Sequence, residues 1–430
     1  MMKLLRSKDY PRDELIRRLQ PRAAVDLAEP EQVVRAICQA VRDRGDEALL
    51  EYVARFDSPA ITRPEQLQVT PVEFAEADRQ VSDAFREAVA VAIANIERYH
   101  RKQLRPSWID TEGGVLLGQI IRPIERVGLY IPAGKAPLAS TLLMTAVPAK
   151  VAGVPFLVLC TPPAPNGTAD PHILYAAKAC GIERVYKVGG AQAVAAMAYG
   201  TATVPRVDKI AGPGNRYVIL AKREVFGQVG IESLPGPSEI AILADESANP
   251  RYLAADLLSQ AEHAGDNLSV LVTPSEALAQ AVLAEVRVQT EQSPRAEIIR
   301  ESLRSGGACV VVESLDEGVA IVNALAPEHL EIATAEPLAL LGQIKAAGAI
   351  LLGEASSEPV GDYIAGPSHV LPTGGTARFS SPLSVDDFLV KSSVIAYSPE
   401  RLRAEARHIL TLAEVEGLDA HANAIRVRQP

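Results

Sequence analysis

The sequence predicts an α/β protein: two Rossmann-like parallel-sheet domains, incomplete and non-standard in form, with helical N-terminal and C-terminal extensions. Three observations carry this. Strand–turn–helix alternation recurs from Val127 onward, the pattern that lays helices over a parallel sheet. Two apolar runs, Phe156-Leu157-Val158-Leu159-Cys160 and Leu268-Ser269-Val270-Leu271-Val272, read as buried strands, and each enters a Thr-Pro turn followed by a helix and a second strand. That internal echo points to two related units. A length of 430 residues gives room for two to three domains, each with its own core.

Taken in order, Val33, Val34, Ile37, Val41, Leu49, Leu50 and Val53 recur at helical spacing over 31–56, and a second helical stretch runs over 71–103. Val115-Leu116-Leu117 is a short strand pattern. Val127 to Pro132 is a strand ending in a Gly/Pro-rich loop over 133–137, and a helix over 142–152 follows, bent at Pro148. After the strand at 156–160 come a loop at 162–167, a helix at 173–179, a strand at 184–188 and a Gly-Gly turn opening a helix at Ala191. The alternation resumes with a helix over 252–262, a strand over 268–272, a helix over 275–288 and a strand over 308–312. The segment 384–425 reads as mostly helical, with Ser398 and Pro399 suited to the cap and first position of its long helix. The resulting division is an N-terminal helical segment over 1–26, a first α/β domain from 27–129 and 238–381, a second inserted over 130–237, and a C-terminal helical tail over 382–430.

The 43 basic and 53 acidic side chains leave a formal charge of −10 without basic clusters, which argues against a nucleic-acid partner, because that affinity rests on neutralising phosphates. No stretch reaches the 18 or so apolar residues of a membrane span, and MMKLLRSKDYPRDELIRRLQ lacks the apolar core of a signal peptide. Cys38, Cys160, Cys180 and Cys309 form no CxxC pair, the usage of a reducing compartment. A cytoplasmic protein is expected.

Four of the seven histidines lie in short polar motifs. Gln260 and His263, three apart, share a helix face. Pro327-Glu328-His329-Leu330-Glu331 follows an amphipathic helix, 361–369 is a Gly/Pro-rich loop holding Asp362 and His369, and Glu416 to His421 follow the last long helix. Singly, each has an ordinary reading: a solvated loop histidine, a helix C-terminal His complementing the dipole, a turn aspartate. No HExxH, Cys pair or EF-hand loop singles out a metal site. Val188-Gly189-Gly190-Ala191-Gln192 and Ala211-Gly212-Pro213-Gly214-Asn215 each put glycines between a strand and a helix, where backbone N–H groups can meet a phosphate or a planar ring. They serve equally as tight turns, and neither matches GxGxxG with its downstream acid.

Together these motifs resemble the histidinol dehydrogenases. The strings RVGLYIPAGKAPLASTLLMTAVPAK (126–150), GGAQAVAAMAYGT (189–201), DKIAGPGNRYV (208–218), GPSEI (236–240), LLSQAEH (257–263), PEHLE (327–331), GDYIAGPSHVLPTGGTARFSSPLSVDDF (361–388) and EGLDAHANAIRVR (416–428) occur in the family's order over roughly residues 30 to 428. The resemblance implies zinc-dependent oxidation of L-histidinol to L-histidine through the aldehyde, with two NAD⁺. It implies Gln260, His263, Asp362 and His421 as zinc ligands, an amide, imidazole and carboxylate set with no thiolate. It implies Glu328 and His329 as the acid–base pair, His329 for the alcohol proton and Glu328 for the water that adds to the aldehyde. Ser238, His369 and Glu416 match positions contacting substrate, alongside the zinc ligands and His329, and Tyr130, Gln192 and Asn215 match positions contacting NAD. It also implies an intertwined homodimer in which Glu416 and His421 complete the partner's site.

Departures from the family pattern are small: Pro235 where alanine is common, Ser368 where asparagine is common, and a variable Ala264-Gly265-Asp266. Alternatives are a paralogous dehydrogenase of another small polar alcohol, a zinc hydrolase, or a non-catalytic metal-binding protein; the two glycine loops argue against the last two. A nucleophilic cysteine is the rival for the second oxidation, but Cys160 and Cys309 sit in apolar strands, where an inert thiol is expected.

Overall fold

The computed structural model describes residues 2–19, 28–133, 137–234 and 236–429. Much of the 133–137 loop and Pro235 lie outside them, as do residues 20–26 of the N-terminal segment. The chain divides into two compact units, Met1–Gln103 with Glu125–Phe388, and Leu104–Ile124 with Leu389–Pro430.

The first unit holds two parallel sheets. One has six strands in the spatial order Lys3–Arg6, Gly307–Val311, Leu268–Thr273, Glu239–Ala244, His329–Ala333 and Ala349–Leu352. Alternate residues face opposite cores. Ile240, Ile242 and Leu271 meet the helices Pro250–Ala261 and Glu276–Gln292, while Ala241, Leu243, Val270 and Val272 meet the helix Leu315–Leu325. Cover on both faces explains why these strands are continuously apolar in sequence. The N-terminal segment contributes the edge strand Lys3–Arg6 before its helix Arg12–Leu19.

The other sheet has five strands in the order Val185–Lys187, Phe156–Thr161, Arg126–Tyr130, Lys209–Ala211 and Gly230–Ile231. The chain starts at the middle strand, builds outward to one side, then returns to build the other. The reversal point therefore lies between Arg126–Tyr130 and Lys209–Ala211, and the crevice beyond the carboxyl ends of such strands is where open α/β sheets take ligands. Helices Ala28–Arg44, Gly190–Tyr199 and Arg216–Val225 share one core on this sheet.

Two expected helices are broken by local chemistry. Gly45, in left-handed backbone at φ 56°, separates Ala28–Arg44 from Asp46–Tyr52. The stretch expected over 71–103 splits into Pro71–Gln80 and Asp83–His100, where Ser82 turns extended and caps the second helix by accepting the Phe85 N–H.

The second unit is a three-stranded antiparallel sheet, Trp108–Glu112, Val115–Pro123 and Leu389–Tyr397, with helices Pro399–Val415 and Asp419–Arg426. The expectation of mostly helical structure over 384–425 is corrected here. Residues Val385–Phe388 form one 3-10 turn, and Leu389–Tyr397 is a strand paired along its whole length with Val115–Pro123. Its β-branched and aromatic residues Val390, Val394, Ile395 and Tyr397 fit a pleated surface better than a helix. Ser398 and Pro399 open the long helix as expected, the Ser398 hydroxyl accepting the Arg401 N–H at 3.1 Å.

Candidate active site

The neighbouring strands Glu239–Ala244 and His329–Ala333 run in parallel with His329 beside Ile240. Their amino ends thus bring Ser238, Glu239, Glu328 and His329 together. This is the opposite end of the sheet from the usual ligand crevice. His329 opens a strand, so the reading of it as a helix C-terminal histidine is corrected. The helix Leu315–Leu325 stops at Ala326, whose φ of 49° is the only positive value of a non-glycine among the described residues. Such backbone costs on the order of 1–2 kcal/mol. It provides the turn after which Pro327 and Glu328 enter the strand.

Glu328 is buried, and its Oε2 accepts the Glu239 N–H at 2.9 Å. Burial pushes its carboxyl up to about 7 despite the neighbouring His329. His329 is also buried, with Nδ1 3.3 Å from the Glu239 carbonyl and Nε2 3.5 Å from Asp362 Oδ1. Burial works against its charge, but Asp362, Glu328 and Glu358 outweigh it and raise the imidazole to about 9. Asp362 is held below the usual carboxylate range: burial opposes this, and His329, His369 and His263 overcome it.

Gln260 and His263 lie at the end of the helix Pro250–Ala261, Gln260 buried and His263 exposed just beyond the last turn. The Gln260 carboxamide is satisfied with its nitrogen toward His329 Nδ1 and Glu358 Oε1, each at 3.3 Å, and the Glu239 carbonyl at 3.2 Å, which turns its oxygen away from those three groups. His263 Nδ1 faces the Ser259 carbonyl at 2.9 Å. That bond needs the proton on Nδ1 and leaves Nε2 as a lone pair. His263, Glu358 and Asp362 each offer a ligand atom within 4.8 Å of the others. With the Gln260 oxygen this N/O set suits zinc, and the helix C-terminus favours positive charge.

Glu358 is absent from the sequence-derived set. It is almost fully buried, accepts the Ser259 hydroxyl at 2.9 Å, and is pushed up to about 7 by burial. Its signal in the sequence was the spacing to Asp362, four residues on along the short helix Glu358–Tyr363.

His369 places Nδ1 2.9 Å from the Asp362 carbonyl and Nε2 3.0 Å from the Thr141 hydroxyl. Both nitrogens thus have protein partners, and burial lowers its pKa. Ser368 ties its hydroxyl to the Met144 carbonyl at 3.0 Å. Glu416 and His421 are exposed on the second unit. The first unit therefore gathers Gln260, His263 and Asp362 but not the fourth expected ligand.

The three residues matched to NAD contacts stand on loops at the carboxyl ends of the five-stranded sheet. Tyr130 ends the strand Arg126–Tyr130, Gln192 lies in the first turn of Gly190–Tyr199, and Asn215 caps Arg216–Val225 by accepting from Tyr217 and Val218 at 2.9 and 3.2 Å. Gly212 passes so close to the strand that a Cβ there would fall 2.0 Å from the Tyr130 carbonyl oxygen. Its amide and carbonyl are held by Glu232 and the fully buried Lys222, an ion pair of 2.6 Å. Of the two readings open for the Gly189-Gly190 turn, the structure favours the tight turn: the amides donate to Asp57 Oδ2 and the Tyr130 hydroxyl, each at 3.0 Å. The cysteines are all buried and unpaired, and burial pushes the Cys309 thiol up to about 12, which removes it as a nucleophile at neutral pH.

Comparison with known proteins shows the family. The histidinol dehydrogenase family model matches residues 20–429. A histidinol dehydrogenase of Heliobacterium mobile is 52% identical over 426 residues, 99% of each chain. That of Moorella thermoacetica is 54% identical over 397 residues, 92% of this chain and 93% of its own. The crystal structure of histidinol dehydrogenase from Elizabethkingia anophelis superposes with a TM-score of 0.93 at 38% identity, covering 99% of this chain and 98% of that one. With a family match over nearly its whole length and relatives at half identity, the chain belongs to the histidinol dehydrogenase family.

Proposed function

We propose that this protein oxidises L-histidinol to L-histidine through L-histidinal, the last steps of histidine biosynthesis, passing two hydrides to two NAD⁺. The observation that carries the reading is the placement of Glu328 and His329, at the amino end of the strand His329–Ala333 beside that of Glu239–Ala244, against the Gln260, His263, Glu358 and Asp362 cluster. The five-stranded sheet and the helices that share its core, Ala28–Arg44 among them, serve the dinucleotide, and the six-stranded sheet with the loops of 238–381 serves metal and substrate. Gln260, His263, Asp362 and His421 would hold zinc. Zinc, when bound, supplies positive charge that fixes the substrate's imidazole and amine and offsets the carboxylates that keep the proton on His329.

In the first oxidation neutral His329 takes the hydroxyl proton as hydride leaves the carbinol carbon, giving aldehyde, one NADH and one proton. In the second, Glu328 takes a proton from the water that adds to the aldehyde. A second hydride then leaves to NAD⁺, giving a second NADH and the carboxylic acid, which releases the other proton to solvent as it becomes the carboxylate. A carboxyl raised toward neutrality by burial suits that base. Ser238 and Glu416 contact the substrate, and His369 steadies Asp362. NADH production from L-histidinol should exceed that from amino alcohols lacking an imidazole by about 100-fold or more, because a site built for polar groups rejects analogues without them. Comparable rates with such alcohols would favour a paralogous dehydrogenase.

The reading includes an intertwined homodimer in which Glu416 and His421 act in the partner's site. What supports it is the exposed apolar surface of the second unit, Ile109, Leu117, Val390, Ile395, Leu412 and Val415. Mixing His329→Asn protein with His421→Ala protein under exchange conditions should restore roughly a quarter of wild-type activity, since half the dimers are mixed and each carries one intact site. No recovery would place His421 in the site of its own chain. A cytoplasmic location completes the proposal. The four cysteines are unpaired, and among the described residues no helix is long and apolar enough to cross a membrane.

A further inference from the structure

The glycine turn before the helix Gly190–Tyr199 is held by a residue far away in sequence. Asp57 ends the π-helical turn Val53–Asp57. Its Oδ2 accepts both the Gly189 N–H and the Gln192 side-chain amide, each at 3.0 Å. A Cβ at position 189 would lie 2.5 Å from Asp57 Oδ1 and 2.7 Å from the Pro162 Cβ, so only glycine admits the carboxylate this closely. The neighbouring Gly190 N–H is taken by the Tyr130 hydroxyl.

Two consequences follow for the chemistry of the loop. The first amides of the helix are occupied and a carboxyl group stands beside them, so the turn is closed to a phosphate despite its glycines. The bond from Gln192 Nε2 to Asp57 also fixes which end of the carboxamide is left over: Oε1, an acceptor with no hydrogen-bond partner among the described residues.

We infer that Asp57 is a positioning residue for the dinucleotide, holding Gln192 so that its amide oxygen receives an uncharged N–H or O–H donor of the cofactor. The inference rests on the reading above that Gln192 contacts NAD. It adds the group that sets the orientation of that contact and excludes phosphate from the turn.

Because both bonds reach one oxygen, Asp57→Asn can keep them and Asp57→Ala cannot. NAD⁺ affinity, measured directly by calorimetry on the metal-loaded protein, should fall about tenfold or more in Asp57→Ala, the worth of a hydrogen bond that no longer fixes the carboxamide. In Asp57→Asn it should stay within about twofold of wild type, as should the KM for histidinol in both variants. Asp57→Glu keeps the charge and shifts the acceptor by one methylene, and carries the same expected loss if the alanine variant does not fold. In a Gln192→Ala background, Asp57→Ala should cost nothing further. Equal losses in the asparagine and alanine variants, or a parallel rise in both KM values, would overturn the inference. If Gln192→Ala itself leaves NAD⁺ affinity unchanged, the cofactor assignment of the loop fails. If Gln192→Ala weakens binding and Asp57→Ala and Asp57→Glu do not, only the role of Asp57 fails.

Discussion

His329→Asn is expected to lower turnover with L-histidinol by about 10²- to 10⁴-fold, the range of a positioned general base, with zinc still bound. The two effects separate because His329 stands beside the metal cluster without belonging to it: its Nε2 is 3.5 Å from Asp362 and its Nδ1 faces a backbone carbonyl. Asparagine is smaller and neutral, can still donate toward the Glu239 carbonyl, and cannot take up the hydroxyl proton. Glu328→Gln makes a different defect. Its amide oxygen can still accept the Glu239 N–H, now 2.9 Å from Oε2, but the base for the water is gone. The first hydride transfer should survive better than the second, so L-histidinal should build up in single-turnover quench experiments. Loss of zinc from His329→Asn would move His329 into the coordination shell.

Asp362→Ala should abolish zinc retention and activity together. A direct carboxylate ligand should exceed the roughly 10- to 100-fold affinity loss typical of groups that only orient ligands, and chelation of the wild-type protein should produce the same inactive state, reversed by added zinc. Asp362 also lies against His329 and His369, so its removal leaves two imidazoles without their carboxylate. Glu358→Gln tests whether Glu358 is a ligand, with zinc lost as in Asp362→Ala, or only orients Gln260. If Glu358 orients Gln260 through the amide nitrogen, zinc affinity should fall within the 10- to 100-fold range. Zinc content by emission spectroscopy after dialysis distinguishes these variants.

The alternation of elements was legible because parallel strands covered on both faces must be apolar in their central residues, as 240–244 of Glu239–Ala244 and 270–272 of Leu268–Thr273 are. The histidine motifs were legible as polar islands, but their convergence was not: Glu328 meets Glu239 only because two strands 89 residues apart pair in register. Leu389–Tyr397 escaped as a strand, although its β-branched and aromatic residues carried the signal, because it lies between two helical patterns and its partner, Val115–Pro123, is remote in sequence. Glu358 carried a usable signal in its spacing to Asp362, whereas Asp57 carried none, since its bonds to Gly189 and Gln192 span 132 and 135 residues. The same pairing that reveals Asp57 also closes the glycine turn that the sequence offered to a phosphate.

A single site carries one substrate through both oxidations. With L-histidinol limiting and NAD⁺ in excess, the NADH absorbance at completion should correspond to two NADH per histidinol, with L-histidine as the sole imidazole product. One NADH per histidinol with free L-histidinal in solution would contradict it.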